Sequence, residues 1–252
     1  MQRYIAHVLQ QEAHWNMDFL SLDYAVQQAL QLYQQHHSTK PVVIADTQDN
    51  PGAGGDSNTT GMLSALHRHQ VKNALIGLIV DPAVVQQAYQ LELGQHFYAQ
   101  LGGTSEIAGD VQFSAEFKIK AYSDGKFSYG GPMMHGVEAD IGPSVLLEID
   151  GIEIAVSSYK AQLLDRKIFR IFGIVPEDKS IIVVKSSVHF RADFHDMAAA
   201  ILVAKAPGAM KAPGAMKADP NDLPWQKIDP DRRLIPMGKS LAQRDQPLRR
   251  IV

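Results

Sequence analysis

Val42-Val43-Ile44-Ala45-Asp46-Thr47-Gln48-Asp49-Asn50-Pro51-Gly52-Ala53-Gly54-Gly55-Asp56-Ser57-Asn58 is an apolar, β-branched run that stops at an aspartate and passes into a loop of Gly, Asp and Asn. An unbroken Val/Ile run marks a strand buried on both faces, as in a parallel sheet covered by helices. A loop at the carboxyl end of such a strand lies where open α/β sheets place their ligands. A helix is expected over residues 58–69, with Met62, Leu63, Ala65 and Leu66 as its apolar stripe. Residues 74–80 form a second buried run, closed by Asp81-Pro82, and a helix is expected over 83–93. Strand, helix, strand, helix in that order implies a parallel sheet.

Outward from this centre the pattern changes. Toward the amino terminus, residues 3–15 and 21–35 read as amphipathic helices, the second with Leu22, Ala25, Val26, Ala29, Leu30 and Tyr33 on one face and Ser21 as N-cap. Beyond Gly102-Gly103, residues 111–122 alternate apolar and polar as a half-exposed strand. Ser123-Asp124-Gly125-Lys126 reads as a hairpin turn into residues 127–129, and Asp150-Gly151 as a second turn joining strands 145–149 and 152–156. A short helix over 165–172 ends at Gly173; a buried strand at 181–185 and a helix over 194–203 follow. The expected fold is α/β: a mainly parallel sheet with flanking helices plus an antiparallel, hairpin-rich insertion. From Lys205, Lys-Ala-Pro-Gly-Ala-Met is repeated at once, and residues 205–252 read as an extended or partly flexible tail.

The bulk numbers exclude several classes. The 252 residues are 45% hydrophobic and 20% charged, with net charge −3. Nothing in this balance points to nucleic acid or an acidic membrane. Cysteine is absent, which removes disulfides, zinc–thiolate sites and cysteine nucleophiles. With no apolar run long enough to span a bilayer and no signal-peptide pattern, a cytoplasmic location is expected.

The loop over 46–58 has two readings. As a binding loop, it offers three carboxylates (Asp46, Asp49, Asp56), glycines that permit close backbone approach, and donors at a helix start near Asn58. As turn chemistry, Asp49-Asn50-Pro51-Gly52 is a β-turn and Asp56 or Ser57 a helix cap. It lacks the Gly-Lys-Ser/Thr of a P-loop, the dinucleotide glycine spacing and the oxygen-ligand spacing of an EF-hand. A phosphate-binding role is disfavoured because three acids would repel an anion. A second constellation, Lys185-Ser186-Ser187-Val188-His189-Phe190-Arg191, follows the strand at 181–185. His189 and Arg191 there could bind an anion or polarise a carbonyl, or simply serve a capped helix start. Neither His7 with His14, His67 with His69, nor His189 with His195 has a recognised zinc spacing. Gly130-Gly131-Pro132-Met133-Met134-His135-Gly136 is a lid or a plain crossover.

These residues carry a resemblance. Val42–Gly55 resembles the signature opening the C-terminal domain of the microcystinase C (MlrC) family, and Val183-Val184-Lys185-Ser186-Ser187-Val188-His189-Phe190-Arg191-Ala192 resembles its second signature. Leu101-Gly102-Gly103, Asp124-Gly125-Lys126-Phe127, the stretch 136–147 and the stretch 169–173 fall between them in the family's order. The resemblance implies a zinc metallopeptidase acting on peptides, named for an enzyme that degrades linearised microcystin. It places the metal-binding histidines and acids in an N-terminal domain that is normally much longer than the segment present here. Residues 1–40 are therefore expected to be the end of such a domain, and 41–204 the C-terminal domain.

The leading expectation is a metallopeptidase C-terminal domain in which Asp46, Asp49, Asn50, Gly54, Gly55, Asp56, Ser57, His189 and Arg191 bind substrate or support metal ligands. Zinc is implied, with ligands in the missing domain and no metal-binding residues in this chain. A peptide is the expected substrate and a separately encoded N-terminal domain a candidate partner; no nucleic acid and no membrane partner are expected. The alternative is a non-catalytic binding module that has lost its hydrolytic half.

Overall fold

A computed structural model describes residues 19–35 and 39–208, with isolated positions between 3 and 10. The predicted helix over 3–15 lies largely outside the described residues, as does the tail beyond residue 208. From residue 19 onward the described chain belongs to one compact unit.

Eight strands form one mixed sheet. They are β1 (Val42–Asp46), β2 (Ala74–Val80), β3 (His96–Leu101), β4 (Phe113–Ser123), β7 (Ser144–Ile149), β8 (Ile152–Ser157), β9 (Ile181–Val184) and β10 (Ala200–Ala204). Their spatial order is β10-β1-β9-β2-β8-β7-β4-β3. The first five run parallel; β7, β4 and β3 are added antiparallel. β5 (Lys126–Ser128) and β6 (Glu138–Asp140) make a separate two-stranded ribbon. The β-branched runs lie where both faces are covered: β1 and β9 are buried at every position. β3 instead alternates exposed and buried.

Helices α1 (Leu22–Gln35), α2 (Gly61–Arg68) and α3 (Pro82–Ala88) pack their apolar stripes into one core with Val42, Ile44, Ile76, Val183 and Ile154. Elsewhere in the interior, Phe169 of α4 (Lys167–Arg170) comes so close to β2 that a Cβ on Gly77 would lie 2.8 Å from its ring. Phe169, Phe194 and Phe190 then pack edge to face. Among the described residues, no helix is long and apolar enough to cross a membrane.

The sequence reading needs several corrections, among them that the helix expected over 83–93 stops at Ala88. The helix expected from Asn58 begins at Gly61, after the N-cap Thr60, which makes no side-chain capping bond. The turn at 123–126 does not fold β5 back on β4; β5 pairs with β6, and β4 lies between β3 and β7. Residues 194–203 are not a helix. Their first part caps the short helix α5 (Arg191–Phe194) with a 3₁₀ turn at His195–Met197, and their last part is β10. β3 was not expected, although His96–Leu101 alternates polar and apolar as residues 111–122 do.

The Asp150-Gly151 hairpin holds, with both residues at positive φ (50° and 88°), as a type I′ turn demands. The chain enters and leaves this unit side by side: Leu20 N–H donates to Val203 (2.9 Å) and Lys205 N–H to Leu20 (2.8 Å).

Candidate functional site

β1 and β9 are parallel neighbours with Ala45 opposite Val184, so Asp46, the last residue of β1, and Lys185, the first beyond β9, stand side by side at the carboxyl edge of the sheet. Lys185 is fully buried. Its ammonium donates to Asp46 Oδ2 (3.0 Å), Asp49 Oδ2 (3.0 Å) and Thr59 Oγ1 (2.9 Å). Three donors on three acceptors satisfy the ammonium completely. Burial opposes its charge, but the two carboxylates outweigh this and raise its pKa above the ordinary lysine value.

The acids differ in their surroundings. Burial pushes the Asp46 carboxyl up, and Lys185 only partly offsets it. Its Oδ1 is buried with no hydrogen-bond partner. Asp49 is also buried, yet its pKa is lowered, because Lys185 and the N–H groups of Thr59 and Ser57 outweigh the cost of desolvation. Its carboxylate accepts from Ser57 N–H (2.7 Å), Thr59 N–H (2.8 Å) and the Thr59 hydroxyl (2.9 Å). Asp49 thus ties the far end of the loop to its beginning. Ser57 sits at φ 61°, and its hydroxyl donates to the Leu78 carbonyl (2.6 Å).

Above this layer the two segments meet again. Thr47 Oγ1 and Asn50 Nδ2 donate to Ser187 Oγ at 2.8 and 3.1 Å. Asn50 Oδ1 accepts from Gly52 N–H, opening a 3₁₀ turn over Pro51–Ala53 that closes at Gly54 in the left-handed region (φ 95°). Gly55 has a different reason: a Cβ there would lie 2.8 Å from the Asn50 nitrogen and 2.9 Å from the Asp49 carbonyl carbon. The close approach that the glycines permit is therefore within the loop itself. Gln162 reaches over the top, its amide 3.1 Å from His189 Nδ1 and 3.3 Å from Ser186 Oγ.

The residues singled out by sequence separate into two groups. Asp46, Asp49 and Ser57 lie beneath the surface and shape the loop. Asn50 is 4% exposed and spends its amide on Ser187 and Gly52. Gly54, His189 and, in part, Asp56 and Arg191 face outward. Asp56 pairs with Lys160 (2.6 Å) and accepts from Ser105 (2.6 Å), contacts that hold its carboxyl below the usual range. The Arg191 guanidinium lies 5.6 Å from the Phe190 ring centroid. Lys185, Thr47, Thr59, Ser187 and Gln162 were not assigned from sequence. The signal for Lys185 was legible: two apolar runs each end in an opposite charge.

The arrangement does not suit a phosphate, because the N–H groups of Ser57, Thr59 and Thr60 are taken by Asp49 and Asp110. Nor does it suit a metal. Among the described residues no three His, Cys, Asp or Glu side chains cluster to hold one, and the oxygens that Asp46 and Asp49 turn toward each other hold an ammonium in its place.

The sequence profile of the family described as MlrC C-terminus matches residues 44–227. The chain belongs to this family. As an MlrC C-terminal domain it is 28% identical over 162 residues to microcystinase C from a Sphingomonas species. It shares its fold with a Mesorhizobium sp. BNC1 protein described as an inferred metallopeptidase, at a TM-score of 0.73 and 18% identity over 88% of this chain. The match spans 31% of microcystinase C and 42% of the Mesorhizobium chain.

Proposed function

We propose that this domain supplies the substrate-binding wall of a peptide-hydrolysing enzyme whose metal ligands lie outside the residues described. The observation that carries the reading is the meeting of both family signatures at one place on the carboxyl edge of the sheet, through Lys185 and Ser187. The buried Asp46–Lys185–Asp49 cluster fixes the loop, and the outward groups are suited to a peptide. His189 and the exposed carbonyls of Gly52–Gly54 can meet peptide amides, the N–H groups of these three residues being spent within the loop, and Arg191 can take a carboxylate. Zinc is the metal the family resemblance implies, and no step of the chemistry is assigned to residues of this chain.

The donor set also favours a second reading, a binding module with no hydrolytic centre of its own. The two separate in one preparation. A soluble peptide, acetyl-Ala-Ala-Lys-Ala-Ala-Ala-amide, is titrated into labelled protein and followed by amide NMR, and hydrolysis is assayed in parallel. Shifts at residues 50–58 and 186–191 that weaken in His189→Ala support the substrate wall. Absence of shifts there removes it. Stoichiometric zinc with hydrolysis by the chain alone removes the binding-module reading.

A further inference from the structure

The same edge of the sheet carries a second concavity. β8, β7 and β4 end there in register, with Ser157 opposite Ser144 and Ser144 opposite Ser123. Beside them opens a cleft of about 470 Å³, lined among others by Tyr89, Tyr122, Tyr159, Asp124, Lys126 and Asp140. That volume is within the range of about 300–1,000 Å³ typical of ligand sites.

Two of the three rings are tied down through their hydroxyls, and the third rests against backbone. Tyr89 and Tyr122 pack edge to face, their centroids 4.8 Å apart. The Tyr122 hydroxyl shares its one proton between the carbonyls of Ala88 (2.6 Å) and Leu91 (2.9 Å), and that of Tyr89 donates to Ser123 (2.8 Å). With these hydroxyls spent on backbone, the cleft is left with ring surface. Tyr159 lies against the backbone of Gly142, where an added Cβ would be 2.9 Å from its ring, and its N–H donates to Ile141 (2.9 Å). Tyr89 and Tyr159 nevertheless remain 42% and 56% exposed. Aromatic surface that is both held and exposed is ready to receive another flat, apolar group at small entropic cost.

One ion pair ties the neighbourhood of the cleft to the loop. Lys160, next to Tyr159, pairs with Asp56. In the strand order β9-β2-β8-β7, the end of β9 stands two to three strand spacings from the end of β8 and the start of β7, and β8 runs about two residues further toward this edge. Together that is about 12–16 Å, or about four to five residues of extended chain.

We infer that the three-tyrosine cleft is a subsite for an aromatic side chain of a peptide lying along this edge, with Asp124, Lys126 and Asp140 meeting its polar flanks. The inference rests on the peptide-binding reading above and adds a preference to it. The probe is acetyl-Ala-Phe-Ala-amide, too short to reach His189, with acetyl-Ala-Ala-Ala-amide as control and amide NMR of the whole chain as readout. The phenylalanine peptide is expected to shift residues around 122–126, 140–143 and 159. Tyr159→Ala should weaken it about tenfold, and Tyr159→Phe, which keeps the ring, should leave it within about twofold. Equal binding of both peptides, or no loss in Tyr159→Ala with the remaining spectrum intact, overturns the subsite. So does binding of cellobiose, but not of the peptide, that depends on Tyr159. The subsite fails alone if a Phe-containing hexapeptide shifts 50–58 and 186–191 without using Tyr159. If the tripeptide binds through Tyr159 while His189→Ala leaves hexapeptide binding unchanged, the substrate wall fails and the cleft stands.

Discussion

Removing the Lys185 ammonium leaves the Asp46 and Asp49 carboxylates buried without their counter-ion. Lys185→Met should therefore cost about 3–5 kcal/mol, the usual penalty for breaking a buried ion pair from one side, read from urea unfolding. The same cluster sets a pH dependence. Lys185 has a raised pKa, so its contribution is complete below 10.5 and is lost as pH climbs through the higher folded value. Asp49 has a lowered one, so its contribution is complete above 3.8 and is lost only as pH falls through a value below that. Asp46, pushed up by burial, works against Asp49: it subtracts stability when ionised, and the subtraction fades in acid. Unfolding followed from pH 3 to 11 should show a broad plateau with losses at both ends, and the alkaline loss should shrink in Lys185→Met, the remainder coming from the Tyr122 and Tyr129 phenols, which burial also pushes up. The glycines give a sharper contrast. Gly54→Ala meets no atom but keeps a left-handed φ, costing about 1 kcal/mol. Gly55→Ala drives a methyl into the Asp49–Asn50 backbone and should cost more, with loss of the Asn50–Ser187 contact visible by NMR. In the sequence the acids and glycines stood out as a site. Their division into buried framework and outward face did not, because burial depends on which strand lies beside β1, and that is a matter of tertiary order.

At the scale of elements, β1, β2 and the β7–β8 hairpin could be read directly, since continuous apolar runs and an Asp-Gly turn are local signals. Gly151→Ala should destabilise the fold by about 1 kcal/mol, because φ 88° is strained for any side chain; Asp150→Asn should be nearly neutral, as Asn accepts the left-handed region. Thermal melts of the two variants compare them. β10 was misread because Phe194, Met197, Ile201 and Leu202 have helical spacing. What decides its state is the open side of β1, where each residue from Ala200 to Ala204 finds a partner from Val42 to Asp46. The short helix expected at 165–172 shrank to four residues. There Arg166 binds Asp193 through both a side-chain fork and its own N–H, fixing the turn by charge rather than by helical periodicity.

For the molecule as a whole, no three His, Cys, Asp or Glu side chains cluster to hold a metal among the described residues. Purified chain treated with EDTA should melt within about 1 °C of untreated chain, because the described residues offer no ligand set through which an ion could couple to folding. A larger drop would show a metal site in this chain. The family was legible because its two signatures are long and local. The pairing of β5 with β6 was not, nor was the placement of the tyrosine cleft, because both depend on contacts between segments far apart in sequence. The adjacency of Leu20 and Lys205 has a consequence of another kind. A linker of a few residues could join these two points, and the chain could then be opened at the Asp150-Gly151 turn. The unit is thus built as a cassette, able to be spliced into another protein or circularly permuted without crossing its own sheet.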